Sequence, residues 1–582
     1  MNALLNRLWI VFMLPAFMLP VFVLTFLPPC AAQQGEQVQS ASIKRGELSV
    51  TFRDNSQSPT ELSGIDALFN MQHATDFDAY DPDTIGASAG LNFEHIISGH
   101  SNPNNKFTPR HGRYTLHKLP DRKTFLLERR AEDSPWKVAS TLKYVVNEPH
   151  YIDFAFRCTP HDASQFGRRG YALFFFANYM NDVEDVSLHF LGHQAPAAKE
   201  EWTRAEAPQG HPDWKGGGNY RALRADDLEY DTDVEFRLNT WSFDWPRIAK
   251  PFYYGRASRG MTLILMFDRL HSERDQIRFS LYKFKLPQHP RPAWDFQYVI
   301  NKVESGTEYG FRGRLVWKKF VSAEDCLDEY KRWAAVLRAE RVQSLKQLGA
   351  TVFTRGDRVI EINANRTKIA DKDLALLSEF TQITDLSLEE TMIGDAGLVH
   401  LGNLQKLEWL NLYHSQIGDQ GLRTVRRLKG LQHLPIGETR VTDAGLAHLS
   451  DMKQLVYLGL RGNEVTDGGL KHLRQLVRLT GLHLGETRVT DAGVTLLLGL
   501  TNLQKLWLDK TSVSDEAITT LARIKSLREL HIAETMITNE GVKKLGELIP
   551  KCRIVAERPC SEELAESAGV VEPVGSARLS DR

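Results

Sequence analysis

Cysteine is scarce in this chain, which contains five cysteines among 582 residues. A fold stabilised by a disulfide framework needs a much denser cysteine pattern, so the sequence excludes that class of protein. The alternating apolar pattern around Cys158 predicts a buried thiol. Cys552 and Cys560 are close in sequence, and one disulfide between them near the C-terminus is an open alternative.

The chain also lacks an excess of charge of either sign. Its 72 Lys and Arg residues nearly balance its 73 Asp and Glu residues, and the formal net charge is -1. Proteins that bind nucleic acid present a strongly basic surface. We therefore expect no nucleic-acid partner.

Sequence motifs for cofactors and metals are missing as well. The three glycines at 216–218 are not followed by the Lys-Ser/Thr pair of a phosphate-binding loop. His189 and His193 are four residues apart, but the residues between them are typical of a strand and turn. Only a helix would place both rings on one face at that spacing. We therefore predict no metal site and no cofactor.

Long apolar runs are confined to the N-terminus, where residues 8–27 follow a basic residue and precede a small-residue segment. This order is typical of a secretory signal peptide, so we predict that residues 1–32 are cleaved on export. An uncleaved anchor, or a lipid attached at Cys30, is the alternative, and only then would the protein contact a membrane. Each case predicts a secreted, periplasmic or cell-surface protein.

Repetition is the clearest feature that the sequence does contain. Residues 359–550 hold eight copies of a 24-residue unit with the pattern L-x-x-L-x-L-x-x-T-x-V-x-D-x-G-L-x-x-L-x-x-L-x-x. A fixed period of this length is typical of a solenoid, in which each unit buries its apolar face only against its neighbours. The register never slips, as the column of acidic residues shows: Asp371, Asp395, Asp419, Asp443, Asp467, Asp491, Asp515 and finally Asn539.

The spacing of Leu455, Leu458 and Leu460 in one unit resembles the leucine-rich repeat family, whose pattern is L-x-x-L-x-L-x-x-N/C-x-L. Most units carry Thr where the family has Asn or Cys, and Asn463 alone keeps the usual residue. The 24-residue form looks like a subtype common in secreted bacterial proteins. The resemblance implies an α/β solenoid over residues 351–556 that recognises proteins.

The position of Asp467 within its unit predicts that it starts a helix. There its carboxylate would accept backbone N–H groups and complement the helix dipole. This interpretation explains the acidic column by helix capping and favours it over a metal-binding ladder.

The outward positions of the predicted strands carry large polar and aromatic side chains that repeat packing does not require. Exposed aromatic rings with Arg and His are typical of a protein-contact surface, and rings also stack on sugars. The alternative is that these rings pack on each other or on the first domain. The residues that we predict to bind a ligand on this face are Trp409, Tyr413, His433, Tyr457, Arg461, His483 and Trp507.

Residues 33–320 have no repeat and show many short strand patterns. The stretch from Tyr151 to Cys158 alternates cleanly between apolar and polar residues, which is typical of a half-buried strand. Such a segment predicts an all-β sandwich domain. We predict a linking helix over residues 321–350, the repeats over 351–556, and a disordered tail over 557–582 because that tail is polar and poor in bulky residues.

The sequence pattern of the first domain resembles that of the galactose-mutarotase-like supersandwich. The resemblance rests on Glu148-Pro-His-Tyr-Ile-Asp153, on Phe176-Ala-Asn-Tyr-Met-Asn181 and on the spacing of the late strands. It implies a His acid and a Glu base acting on a sugar ring. The candidates for these catalytic roles are His150, His95, Glu229 and Glu235.

A glycine-rich segment with aromatic and polar residues offers a second kind of sugar site in the same domain. Flat rings beside hydrogen-bonding groups are what a sugar site requires, although buried tryptophans and loop histidines would give the same pattern. The residues of this candidate site are His211, Asp213, Trp214, Asn219 and Trp241.

Two functions of different class remain. The first is an exported binding protein, with a solenoid for protein recognition and a β-sandwich for carbohydrate. The second is a carbohydrate-active enzyme, similar to an aldose epimerase or a polysaccharide lyase, with the solenoid as a targeting arm. A cleft that brings His150 or His95 within hydrogen-bonding distance of a glutamate, beside Trp214 or Trp241, would favour the enzyme.

Overall fold

The structure is a computed structural model that describes residues 35–56, 62–81, 89–99, 109, 112–206, 218–223, 228–231, 242–268, 276–284 and 291–556. The predicted signal peptide and the predicted tail both lie outside these residues. None of the helices within the described ranges is long and apolar enough to span a membrane.

Among the described residues up to Lys319, β-strands are the main regular structure, and 3-10 helices lie at Ala131–Asp133 and Ala163–Phe166. Strands β1 to β10 are Glu36–Val38, Ser40–Arg45, Leu48–Arg53, Gly64–Asn70, Asn92–Ile97, Thr115–Lys118, Thr124–Arg129, Val138–Asn147, Tyr151–Pro160 and Ala172–Ala177. Strands β11 to β19 are Val183–His193, Glu200–Ala205, Gly218–Tyr220, Arg247–Ile248, Phe252–Ala257, Met261–Phe267, Gln276–Phe284, Arg291–Ile300 and Tyr309–Lys319. We call this region the β domain.

The strands of the β domain form three antiparallel sheets. The largest has eleven strands in the order β1-β6-β7-β8-β9-β19-β16-β15-β11-β12, with β14 paired to β11. A five-stranded sheet has the order β13-β17-β18-β10-β5, and a third sheet contains β2, β3 and β4. The β-rich layout expected from the sequence is therefore present.

The large sheet and the five-stranded sheet share one hydrophobic core. Every second residue of β9 is buried, as the alternating pattern predicts for a strand with one face in a core. Phe156 on β9 lies 5.0 Å from Phe176 on β10 between ring centroids, which joins the two sheets. The five-stranded sheet thus has an inner face in this core and an outer face directed away from it.

Helix α1, Ala323–Gln347, joins the β domain to the repeats. Its N-cap is Ser322, whose hydroxyl accepts a hydrogen bond from the Asp325 backbone at 3.1 Å. Trp333 packs on the large sheet, whereas Leu345 belongs to the core of the repeats. One helix therefore contributes to both cores.

The repeat region contains one ten-stranded sheet, in which β20 and β21 are antiparallel and all later neighbours are parallel. Its strands β20 to β29 are Thr351–Arg355, Arg358–Asn363, Asp385–Ser387, Trp409–Asn411, His433–Pro435, Tyr457–Gly459, Gly481–His483, Lys505–Trp507, Glu529–His531 and Arg553–Val555. Each strand from β22 to β28 pairs in register with the residues 24 positions later, for example Tyr457 with Gly481.

Short helices connect the parallel strands. Helices α2 to α8 are Asp395–Leu398, Asp419–Val425, Asp443–Leu446, Asp467–Leu470, Asp491–Leu496, Ile518–Leu521 and Asn539–Leu548. The 3-10 helices of this region are Asp371–Leu377, Val399–Leu401, Ala447–Leu449, Leu497–Gly499 and Asp515–Ala517. The leucines of strands and helices form one continuous buried core through all units.

The acidic column has a different role from the helix capping that its position predicts. The Asp467 carboxylate does not cap its own helix; it accepts hydrogen bonds from the backbone N–H of Thr490 at 2.9 Å and from its hydroxyl at 2.6 Å. Thr490 is the residue that caps the next helix, since its hydroxyl accepts from the Ala492 backbone at 3.3 Å. The carboxylate therefore links one repeat unit to the next by hydrogen bonds.

The glycine of the D-x-G-L motif follows from this bridge. A Cβ added at Gly421 would lie only 2.5 Å from Oδ1 of Asp395, the carboxylate of the preceding unit. Glycine thus leaves room for the bridging carboxylate. Ala517 occupies the equivalent position in one unit, and there the turn is a 3-10 helix, Asp515–Ala517, in place of an α-helical start.

Replacement of Asp467 by alanine should lower the free energy of unfolding by about 1–3 kcal/mol, because the Thr490 N–H and hydroxyl lose their acceptor. Urea unfolding followed by circular dichroism measures the change. The control is Glu464→Ala, which removes an exposed ion pair with Arg488 and should cost about 0.5 kcal/mol or less. Equal losses in the two variants would contradict the bridging role.

Candidate functional site

The predicted ligand-binding residues of the repeats share one face of the ten-stranded sheet. In each three-residue strand the central leucine, such as Leu458, points into the core, so the flanking side chains point the other way. We call this side the strand face. Trp409, His433 and Tyr457 lie in its first column, and His483 and Trp507 lie in the second.

The rings on the strand face contact each other in two groups. Trp409 stacks on His433 with ring centroids 5.0 Å apart. Further along, Trp507 stacks between His483 at 5.4 Å and His531 at 5.6 Å, and Tyr457 meets Trp507 edge-on at 6.3 Å.

We call Tyr457, His483, Trp507 and His531 the ring cluster. The alternative interpretation, in which the rings pack on each other, therefore describes their contacts. All four remain partly exposed. His531 was not predicted, although it follows Trp507 by 24 residues in the same column.

Glycines determine how these rings lie. A Cβ at Gly481 would come within 2.9 Å of the Tyr457 ring, and a Cβ at Gly485 would come within 2.9 Å of the His483 ring. Glycine at these two positions therefore leaves space for the Tyr457 and His483 rings to pack against the sheet backbone.

The two remaining predicted residues are held by acidic neighbours. Tyr413 donates a hydrogen bond to Glu438 at 3.1 Å, and Arg461 pairs with Glu486 at 3.0 Å.

Burial keeps His483 neutral. Desolvation, helped by the nearby charge of Arg461, lowers its pKa to about 3. Its Nδ1 accepts a hydrogen bond from the Gly485 backbone at 3.2 Å, so the proton of the neutral ring belongs on Nε2. Burial also lowers the pKa of His433 and raises the pKa of Tyr457 to about 12. Within the ring cluster, the neutral His483 ring thus offers an N–H donor beside the aromatic rings.

In the β domain, several of the predicted ligand-binding and catalytic residues lie outside the described part of the chain. His211, Asp213, Trp214, Trp241 and Glu235 lie outside the described residues. The side chain of Glu229 is largely exposed and pairs with Arg169.

His150 belongs to the contact between the β domain and helix α1. Its Nδ1 lies 3.0 Å from Glu47, and its Nε2 lies 3.6 Å from Glu329 on that helix. Glu329 also accepts hydrogen bonds from Lys318 and from the Tyr151 hydroxyl, both at 2.9 Å. This arrangement places His150 in a structural network between elements.

His95 lies on the outer face of the five-stranded sheet beside a carboxylate. Its Nδ1 is 3.2 Å from Glu94, and its ring stacks on Phe175 at 4.3 Å between centroids. The other oxygen of Glu94 accepts a hydrogen bond from the Tyr179 hydroxyl. A histidine, a glutamate and a tyrosine are thus brought together at contact distance, as His150 and Glu47 also are. The tryptophans that were expected to line a cleft beside them lie outside the described residues.

More polar side chains lie on the same outer face, and they come from strands that are distant in sequence. Ile277 and Phe279 of β17 point into the shared core, so Arg278 points outward, as does the neighbouring Gln297 of β18. Asp295 lies one step further along β18, and its burial raises its pKa well above the usual range, which favours the neutral acid. Asn219 completes this surface on β13.

Comparison with known proteins finds no matching family model and no matching curated protein. Among solved structures, an internalin from Listeria monocytogenes is 23% identical with a TM-score of 0.29, covering 34% of this chain and 54% of its own. The LRR ectodomain of the plant membrane receptor kinase GASSHO1/SCHENGEN3 from Arabidopsis thaliana is 17% identical with a TM-score of 0.27, covering 36% and 25%. This chain thus spans about half or less of each, and the similarity to leucine-rich repeat proteins covers about a third of it.

The depressed pKa of His483 predicts a loss of stability in acid. Above about pH 6.5 the ring is neutral in both the folded and the unfolded state. Between pH 6.5 and the folded pKa of about 3, only the unfolded state takes up the proton, so folding weakens by at most about 1.4 kcal/mol per pH unit from this group. Urea unfolding at several pH values should show a shallower acid dependence for His483→Gln.

The matched control is His414→Gln, which changes an exposed histidine outside the ring cluster. Its acid dependence should follow that of the unaltered protein. If His483→Gln and the unaltered protein lose stability in parallel between pH 6.5 and 4, His483 is not the neutral buried ring described here.

Proposed function

We propose that this protein is an exported binding protein in which the strand face recognises a protein partner and the β domain binds a carbohydrate. In this proposal residues 1–32 are a cleaved signal peptide and 33–320 a supersandwich-like sandwich. Residues 321–350 link it to a leucine-rich-repeat solenoid at 351–556, followed by a tail at 557–582. The observation that carries the proposal is the row of partly exposed rings on the strand face.

The composition of the strand face supports protein recognition. The buried leucines on the other side of the sheet already hold the repeats together, so the repeats do not need Trp409, Tyr413 or Trp507 for packing. Aromatic residues with Arg and His are the types that dominate binding energy at protein interfaces. The face is therefore suited to a partner that covers the rings.

The stacking of the rings supports the same function. The Trp507 ring stacks between the imidazoles of His483 and His531. The Tyr457 ring packs against Gly481. Side chains that are already ordered lose little conformational freedom when a partner binds. The ring cluster is thus a preorganised contact surface.

A carbohydrate ligand for the β domain is supported by the outer face of the five-stranded sheet, where ring and polar side chains lie side by side. The same geometry favours the second candidate function, a carbohydrate-active enzyme. His95 and Glu94 would then serve as acid and base, since general acid–base chemistry needs such groups within reach of one bound substrate. Turnover of a sugar substrate separates this function from binding alone.

Replacing both Trp409 and Trp507 by alanine should abolish capture of the protein partner. Partners are first identified by pull-down from a cell-envelope extract with the full chain and mass spectrometry, and affinities are then measured with the purified partner. Since ring anchors contribute about 2 kcal/mol or more each, loss of one should weaken binding about 30-fold and loss of both roughly 1,000-fold.

The control for this experiment removes exposed apolar side chains away from the strand face, Val399→Ala with Val477→Ala. It should bind like the unaltered protein. Unchanged affinity of the double tryptophan variant, with unchanged thermal unfolding, would move the protein-binding surface elsewhere.

The carbohydrate function predicts that the full chain retains at least one glycan on a glycan array, and that His95→Ala weakens this retention. Mutarotation and lyase assays on the retained glycan decide between binding and catalysis. If no glycan is retained and no sugar is turned over, both carbohydrate functions are wrong, while protein recognition by the repeats is unaffected.

A further inference from the structure

The charged residues of the repeats are divided between the two sides of the ten-stranded sheet where the strands begin and end. Because strands β22 to β29 are parallel, all the turns that lead into them lie on one side. We call this side the basic rim. Its turns are residues 378–384, 402–408, 426–432, 450–456, 474–480, 498–504, 522–528 and 546–552.

Cations predominate on the basic rim. Its turns contain four acidic residues, against eleven basic ones: Lys406, Arg426, Arg427, Lys429, Lys453, Arg474, Arg478, Arg523, Lys525, Arg528 and Lys551. All eleven basic residues are exposed. Where they form hydrogen bonds within the described residues, the acceptors are neutral: Lys406 donates to the Gln382 amide oxygen at 2.6 Å, and the others donate to backbone carbonyls.

The turns that leave the strands have the opposite charge, and we call their side the opposite rim. They contain fourteen acidic and six basic residues within 364–371, 388–395, 412–419, 436–443, 460–467, 484–491, 508–515 and 532–539. Carboxylates of this rim have partners within the repeats, since Asp467 bridges to Thr490 and Glu486 pairs with Lys510 at 2.7 Å. The basic rim therefore arises from the placement of charge within each repeat, because the whole chain is nearly neutral.

Helix stability accounts for only part of the basic rim. A cation in the last turn of a helix complements the helix dipole, and Arg426 directly follows α3. Lys429, Arg478 and Arg528 lie beyond the helices, where the effect of the dipole has fallen off. Exposed cations at such positions contribute little to folding, so they are available for binding.

The residue types of the basic rim fit an acidic protein surface. Six of its eleven cations are arginine, which is enriched at protein interfaces where lysine is depleted. The planar guanidinium also pairs with a carboxylate through two hydrogen bonds. The basic rim is continuous with the strand face, because Arg528 directly precedes β28 and Lys406 lies shortly before Trp409. A partner that covers the rings would therefore reach these cations.

We propose that the basic rim binds an acidic segment of the protein partner that covers the strand face. The proposal rests on the protein recognition by the strand face proposed above. Exposed charges act through water, so the basic rim would chiefly accelerate association and orient the partner. Salt would weaken this effect, because ions screen charges beyond about 8 Å at physiological ionic strength.

The test measures binding of a fluorescently labelled peptide rich in glutamate and leucine to the full chain by anisotropy, at low and at physiological salt. A peptide with lysine in place of glutamate is the charge-reversed probe. We expect the glutamate peptide to bind more tightly and to lose affinity as salt rises. Arg426→Gln with Arg427→Gln and Lys429→Gln should weaken its binding about tenfold at low salt, because three exposed ion pairs are lost.

The matched control is Arg366→Gln with Arg440→Gln and Arg488→Gln, which removes the same charge from exposed residues of the opposite rim. It should not weaken binding of the glutamate peptide. Both triple variants should unfold at the temperature of the unaltered protein, since all six residues are exposed. Equal weakening by the two triple variants would show that net charge alone acts and would overturn the proposal.

Further probes decide the class of partner. Tighter binding of heparin, of phosphatidylglycerol vesicles or of a single-stranded oligonucleotide, weakened by the basic-rim variant, would assign the rim to another class and overturn the proposal. Equal binding of the lysine peptide, or no binding of the glutamate peptide, would also overturn it. Glu562→Gln with Glu563→Gln should leave the affinity unchanged, whereas a rise would identify this stretch of the same chain as the occupant and contradict an external partner.

The tryptophan variant of the strand face separates this proposal from the function on which it rests. If Trp409→Ala with Trp507→Ala loses the purified protein partner while the basic-rim variant binds it normally at low salt, only the role of the basic rim is wrong. If neither variant weakens binding of that partner, protein recognition by the strand face is wrong as well.

Discussion

The hydrogen-bonded bridge from each Asp carboxylate to the following turn is the constraint on which the repeat region depends. It ties Asp467 to Thr490 and, by the same geometry, Asp443 to Thr466. Since every bridge spans the same number of residues, equivalent positions of successive strands fall in register at the strand spacing of about 4.8 Å. His483, Trp507 and His531 occupy one column, so this strand spacing brings their rings into stacking contact. Their centroids are 5.4 and 5.6 Å apart.

Helix α1 has a corresponding role between the two parts of the chain. Trp333 contributes to the packing on the large sheet, and Leu345 closes the first end of the repeat core. Asp268 of the β domain pairs with Arg341 on the helix and with Arg312 on β19, and these two charges hold the pKa of Asp268 below its usual range although it is buried. Removal of the helix from the large sheet would expose the apolar contact of Trp333 and break the pair between Asp268 and Arg341.

The sequence was most informative where one local rule repeats. The columns of Trp409 and Trp507 could be placed on the strand face because their offset from the buried leucines recurs in every unit. Their mutual contacts could not be predicted, since these depend on glycines such as Gly481 that leave space for the ring of the preceding unit. The helix-cap interpretation of the Asp column had the right position but the wrong partner, because the partner belongs to the next unit.

In the β domain the sequence could predict strands but not their order. The alternation around Arg278 predicts that it points away from Ile277 and Phe279. Only the strand order β13-β17-β18-β10-β5 shows that it shares a face with His95 and Asn219.

The two candidate surfaces of this protein consequently differ in the interaction that would dominate binding. The strand face presents partly exposed aromatic and imidazole rings, so a partner would gain chiefly by covering apolar area. On the outer face of the five-stranded sheet Arg278 is buried, and there the sign of a neighbouring charge is more decisive than apolar area, because a charge interacts far more strongly where water is excluded.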